Sequence, residues 1–229
     1  HDEERVSEIS KKWKEIYNLF SSTITKKNSI LSDEETFYQY FFMSLEGAEI
    51  SKSKSDEFFK IFEDKYSGTS EKLDNFLDET IYFLKFLKAC KYNDTGKNFF
   101  EENDYNGLNQ NQKYKLNGLF ELSKRCINYS EQSKLLFFKM LRQNKNYEIY
   151  LILQDMFFIC RYVFYQNIHL KTASNVLRNQ FISICSETGN LKTQLLINLE
   201  SKKINTIKDK IVFSDNTTCH FIIMLYTYL

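Results

Sequence analysis

No proline interrupts the 229 residues, and only 6 of them are glycine. The first absence frees helices from the kinks and stops that proline imposes. The second leaves no material for phosphate-cradling loops, and neither GxGxxG nor GxxxxGK[ST] occurs. Histidine is as scarce, with 3 in the chain. There is no HExxH, no CxxC and no histidine pair at i, i+4. Cys219-His220 stands without a second pair, and His169 reads as a turn residue, so no zinc set can be assembled. The nucleophile motif GxSxG is missing too. These gaps leave catalytic, cofactor-binding and metal residues all at none.

Long apolar runs are also lacking. No stretch approaches the roughly 20 residues a membrane helix needs, and no signal peptide is legible. The five cysteines, Cys90, Cys126, Cys160, Cys185 and Cys219, are odd in number and widely spaced. They read as reduced thiols on apolar helix faces of a cytoplasmic protein with no membrane partner.

What remains is helical patterning rich in aromatics. The chain holds 21 Phe and 15 Tyr, is 42% hydrophobic and 27% charged, and fits a folded globular protein. The fold class expected is all-α: a globular bundle of about ten helices, as one domain or as two lobes, 1–93 and 112–229, around a loop at 94–111. Tyr147–Asn167 is apolar on nearly every side, which predicts a central helix sheathed by neighbours. Glu148, Asp155 and Arg161 interrupt it.

In chain order, Val6, Ile9, Trp13, Ile16 and Phe20 form one stripe of a helix over 2–20. Trp13, the one tryptophan, is expected in the core, with base stacking as the alternative. Ser32-Asp33-Glu34-Glu35 reads as a capping box with Ser32 at the N-cap, opening a helix that Gly47 closes. Further helices are expected at 55–66, with Phe58, Phe59 and Phe62 buried, and at 70–92. Asn93 to Asn111 reads as the one long loop. Helices then resume at 112–128, from Ser130 through Leu141, at 171–186 with Val176 inward and Gly189 as C-cap, and at 191–201. A last helix is expected around Phe221–Leu229. It stops without a cap, so the chain reads as a piece of a longer protein.

Charge is uneven. Residues 1–114 carry 16 basic against 22 acidic residues, and residues 115–229 carry 15 against 8. The basic half predicts either an acidic partner such as DNA or a lobe that attracts the other half. Lys134, Lys139 and Arg142 are the candidate DNA contacts. Asp155 and Arg161, on the polar stripe of the central helix, are candidates for an interdomain or cleft role. Asp56 with Glu63-Asp64-Lys65 imitates a nuclease acid/E-x-K pattern, but on a helix it reads as a solvated charged face.

Ser10-Lys11-Lys12-Trp13-Lys14-Glu15-Ile16, Phe37-Tyr38-Gln39-Tyr40-Phe41-Phe42, the Phe58-to-Tyr66 and Leu73-to-Tyr92 helices and Phe157-Phe158-Ile159-Cys160-Arg161 come in an order that resembles the helical middle region of GmrSD-type proteins. These are the modification-dependent, type IV restriction enzymes. Phe221 to Tyr226 resembles the helix leading into their nuclease domain. In that family a ParB-like domain with a DGQQR-type motif handles nucleotide and an HNH domain cuts DNA; neither motif is present here. The resemblance implies a connecting domain whose partners are the flanking domains of the same polypeptide, with DNA as a further partner. The alternatives are a free-standing helical interaction module, such as a scaffold or secreted bacterial effector, and an enzyme whose site the sequence hides. Oligomeric state is not legible.

Overall fold

A computed structural model describes residues 2–24, 30–51, 55–92, 99–100, 102–144, 149–166 and 172–200. These residues form ten α-helices and no strand, so the fold class is all-α. The helices are α1 (Asp2–Thr23), α2 (Glu34–Glu46), α3 (Ser55–Tyr66), α4 (Ser70–Tyr92), α5 (Glu102–Gly107), α6 (Gln110–Tyr129), α7 (Lys134–Gln143), α8 (Ile149–Phe164), α9 (Ser174–Ser186) and α10 (Leu191–Glu200); a 3-10 turn at Glu131–Ser133 leads into α7. No described helix is long and apolar enough to cross a membrane. Among the expected elements, the helix around Phe221–Leu229 lies outside the described residues, as do Glu148, His169, Cys219 and His220.

Capping chemistry sets the ends. α2 starts from Asp33, not Ser32: the Asp33 carboxylate accepts from the Thr36 backbone N–H at 2.6 Å. Asp33 is the better acceptor, and Ser32 turns its hydroxyl to that of Thr36 instead. Gly47 ends α2 in the left-handed region, φ 61°, its N–H donating to the Met43 carbonyl at 2.9 Å. Asn109 and Gln112 make a reciprocal capping box for α6. Gly189 is not the C-cap of α9; that position falls to Glu187. The expected loop after α4 is shorter than its sequence suggests. Phe99 is buried and stacks on Tyr82, ring centroids 4.9 Å apart, and α5 follows.

α1 and α4 pack in parallel. Arg5 meets Asp74, Lys12 meets Asp78, Glu15 meets Lys85, and the Ser22 carbonyl accepts from Lys91. A parallel pair needs a long return path, which α2 and α3 supply. On its other side α4 drives a row of phenylalanines into the second half of the chain. Phe83 stacks on Phe138 at 4.6 Å, and Phe86 reaches Phe120 and Phe137 at 5.9 and 5.4 Å. One buried cluster therefore takes members from both sides of residues 94–111.

The enclosed helix is α7, not α8. Eight consecutive residues, Lys134 through Leu141, are buried, with α2, α4, α8 and α9 around them. α8 buries Ile152, Met156, Ile159, Cys160 and Val163 on one face. Its opposite side is open: Tyr150 is 64% exposed, and Leu153, Phe157 and Phe158 are half-buried. The apolar circumference of α8 matched a sheathed helix in sequence, and α7 did not, because two lysines and an arginine made it look amphipathic.

Candidate interaction surface

The three cations expected to face DNA are turned inward. Lys134 is 1% exposed, with its ammonium 2.9 Å from the Glu131 carboxylate and 5.3 Å above the Tyr40 ring. Lys139 donates to the carbonyls of Ile184 and Glu187 and to Gln194 Oε1. It thus caps the C-terminal end of α9, whose last carbonyls have no helical partner. Burial pushes the Lys139 ammonium below its ordinary value, opposed by Cys185 and Glu187. Arg142 donates to Glu79, Ser44 and the Phe41 carbonyl, and lies 4.5 Å from the Phe41 ring centroid. None of the three is a surface cation. A buried ammonium or guanidinium is tolerable when its donors are spent on carbonyls and carboxylates, and that is how this bundle uses them.

Asp155 and Arg161 have different surroundings. Asp155 is buried and accepts from Asn144 Nδ2 at 2.8 Å, fixing the end of α7 against α8. Arg161 is exposed. The nuclease-like acid/E-x-K group lies on α3, where Asp56, Glu63 and Asp64 are exposed and Lys65 pairs with Asp64 and Glu46. Among the described residues no three histidine, cysteine or acidic side chains gather as a metal site.

An aromatic surface lies on the α1 side of the bundle. Trp13, Ile16, Tyr17 and Phe20 recur at three and four residues along α1 and line a groove of about 640 Å³ shared with α2, α3 and α4. Phe20, Tyr38, Phe42 and Phe76 form its floor. They are braced by the Tyr38–Phe76 and Phe42–Phe58 stacks at 6.0 and 5.9 Å and the Phe62–Phe76 contact at 5.0 Å. Three aromatics at its lips stay in water: Trp13 at 45%, Tyr17 at 68% and Phe59 at 61% exposure. Two expectations fail here, since Trp13 and Phe59 are not core residues. Val176, expected inward on α9, is likewise 43% exposed. Tyr17 was not predicted at all; the signal was its i, i+4 spacing from Trp13.

The groove is not electrically neutral. Glu34 and Glu35, exposed in the first turn of α2, stand at its rim. They belong there locally because a helix N-terminus favours carboxylates. The Tyr38 phenol beneath them is held protonated, pushed well up by burial and then by the Glu34 charge. An aromatic trough with carboxylates at one edge can take apolar side chains flanked by cations, or a cation over a ring face.

The chain matches no family model, no curated protein and no solved structure.

Proposed function

We propose that this chain is a helical interaction domain, and that the α1–α2–α3–α4 groove receives an amphipathic helix whose apolar face is flanked by lysine or arginine. The observation that carries the reading is the exposure of Trp13, Tyr17 and Phe59 around one trough whose rim charges, Glu34 and Glu35, are both negative. Contiguous exposed aromatics with a polar rim mark binding surfaces on soluble proteins. Helix-in-groove recognition draws on such anchors, and the rim selects the sign of the partner's flanks. Calorimetry with two designed helices of identical leucine face tests this. The lysine-flanked helix binds and the glutamate-flanked one does not, and Glu34→Lys/Glu35→Lys inverts the preference. Equal binding of both, or of neither, contradicts it.

The likeness to the middle region of GmrSD-type restriction proteins gives this interaction a setting. Four of the segments that carry the likeness lie on α1 to α4, the helices that build the groove. In this reading the domain connects a ParB-like domain to an HNH nuclease of an antiphage system, and the groove holds a helix from one of them. A DGQQR-type segment upstream of His1 and an HNH segment downstream of Leu229 in the parent gene support it. An open reading frame without them removes it.

A further inference from the structure

A second surface lies around α1 from the aromatic one. Lys11 and Lys14 on α1 and Lys85 and Lys88 on α4 line one cleft of about 600 Å³ along the parallel α1–α4 seam. Glu15 is the one carboxylate in its lining, so four positive charges meet one negative, an excess of three. Among the described residues Lys85 alone of the four has an ion-pair partner, Glu15 at 2.8 Å.

The other end of the same seam shows what balance looks like. There Arg5 and Lys12 face Asp74 and Asp78, two cations to two carboxylates, at 2.7 Å for the closest pairs. The two lysines of α1 are not needed to neutralise its end. That work falls to Lys91, whose ammonium donates to the Ser22 and Thr23 carbonyls at 2.7 and 3.0 Å, while Lys11 and Lys14 sit more than two turns from the end of α1. Like charges gathered in a recess repel one another and focus an attractive field for an anion.

We infer that this cleft binds the phosphodiester backbone of a nucleic acid, without reading its sequence. On each wall the two lysines are three residues apart, a rise of about 4.5 Å. The cleft therefore offers repeated point charges along a line, which suits a polymer carrying one phosphate per about 3.4 Å of strand. Its floor is Leu19 and Ala89, with no aromatic ring on which a base could stack. The contact is thus to phosphate alone. The site lies in the acidic half of the chain, where net charge by halves would not have placed it. It is independent of the aromatic groove and its partner.

The test is binding of a mixed-sequence duplex DNA to the full chain across a salt series. With about three phosphates neutralised, log K falls against log salt with a slope near −3 (about −0.9 per contact). Lys14→Glu/Lys88→Glu flattens that slope by about 2 and weakens low-salt binding at least tenfold. The charge-matched control Lys60→Glu/Lys72→Glu, on exposed positions away from the cleft, leaves the slope unchanged. Thermal melting by circular dichroism confirms folding, and Lys14→Gln/Lys88→Gln replaces the reversal if it does not fold. Absence of DNA binding at low salt overturns the inference. So does equal loss in cleft and control variants, or tighter binding to polyglutamate or to phosphatidylserine vesicles than to DNA.

Discussion

Arg142 and Glu79 face each other at 3.3 Å across the junction of α7 and α4, 13% and 11% exposed at their side chains. Around them Tyr66 donates to the same Glu79 oxygen at 2.8 Å, and Arg142 reaches α2 through the Phe41 carbonyl at 2.9 Å. One guanidinium therefore ties α2 and α4 to α7, and through Glu79 reaches α3.

Arg142→Ala takes the guanidinium away from the Glu79 carboxylate inside the bundle, which keeps its bond from Tyr66. Loss of one partner of such a pair costs about 3–5 kcal/mol, so chemical denaturation should show a midpoint far below the parent's. Replacing both, as Glu79→Gln with Arg142→Met, recovers part of that loss. If Arg142→Ala were as stable as the parent but weaker toward DNA, the residue would be a surface contact after all.

Gly47 is required twice over. Its φ is +61°, and a Cβ there would collide with the Ser186 backbone at the end of α9. Gly47→Ala should lose about 1–2 kcal/mol to conformation and a further 1–3 kcal/mol to overpacking. Gly68 has φ +91° with nothing within 4 Å of its Cβ position, so Gly68→Ala loses only the conformational part. Comparable melting temperatures for the two variants would contradict the α2–α9 contact.

Asp155 should make stability depend on acid in an uncommon direction. Burial raises its carboxyl above the ordinary aspartate value, opposed by the Asn144 hydrogen bond and Lys192. Between the ordinary and the raised value the folded state holds more protons than the unfolded one. The contribution of this residue to stability therefore falls as pH rises through that window and stays at its lowest above it. Asp155→Asn can still accept from Asn144 and removes the dependence. Urea unfolding at a series of pH values rising from the ordinary aspartate range should show the variant gaining on the parent as pH rises.

The thiols of Cys90, Cys126, Cys160 and Cys185 are all buried. Burial pushes Cys90 and Cys126 well above the usual thiol range and Cys185 to about 12. Cys90, Cys126 and Cys185 therefore form little thiolate near neutrality and Cys160 is shielded by its burial, so a thiol reagent should leave these four unmodified in the native protein and label them once urea unfolds it. Rapid native labelling of any of the four would mean that its helix opens.

Much of this fold is written in the periodicity. The bounds of α3 and α4 follow from their apolar stripes and from the glycines around them. The identity of the buried helix does not, because a sequence cannot show whether a lysine ends in water or on a carbonyl. Lys139 and Arg142 read as surface charges until α9 and Glu79 are seen beside them. The reverse error concerns Trp13 and Phe59, apolar residues on amphipathic helices whose faces are incompletely covered. The lysine cleft was hidden for a third reason: its members lie about 70 residues apart in pairs, and the parallel seam that joins them is a tertiary fact.

Trp13 is the chain's one tryptophan and stands 45% exposed at the lip of the aromatic groove, so its fluorescence reports directly on whether that groove is filled. Titration with the lysine-flanked leucine helix should shift its emission to the blue and saturate, and Phe59→Ser should abolish the shift. An emission spectrum unchanged at high peptide concentration, or shifted equally by the glutamate-flanked helix, would contradict the account.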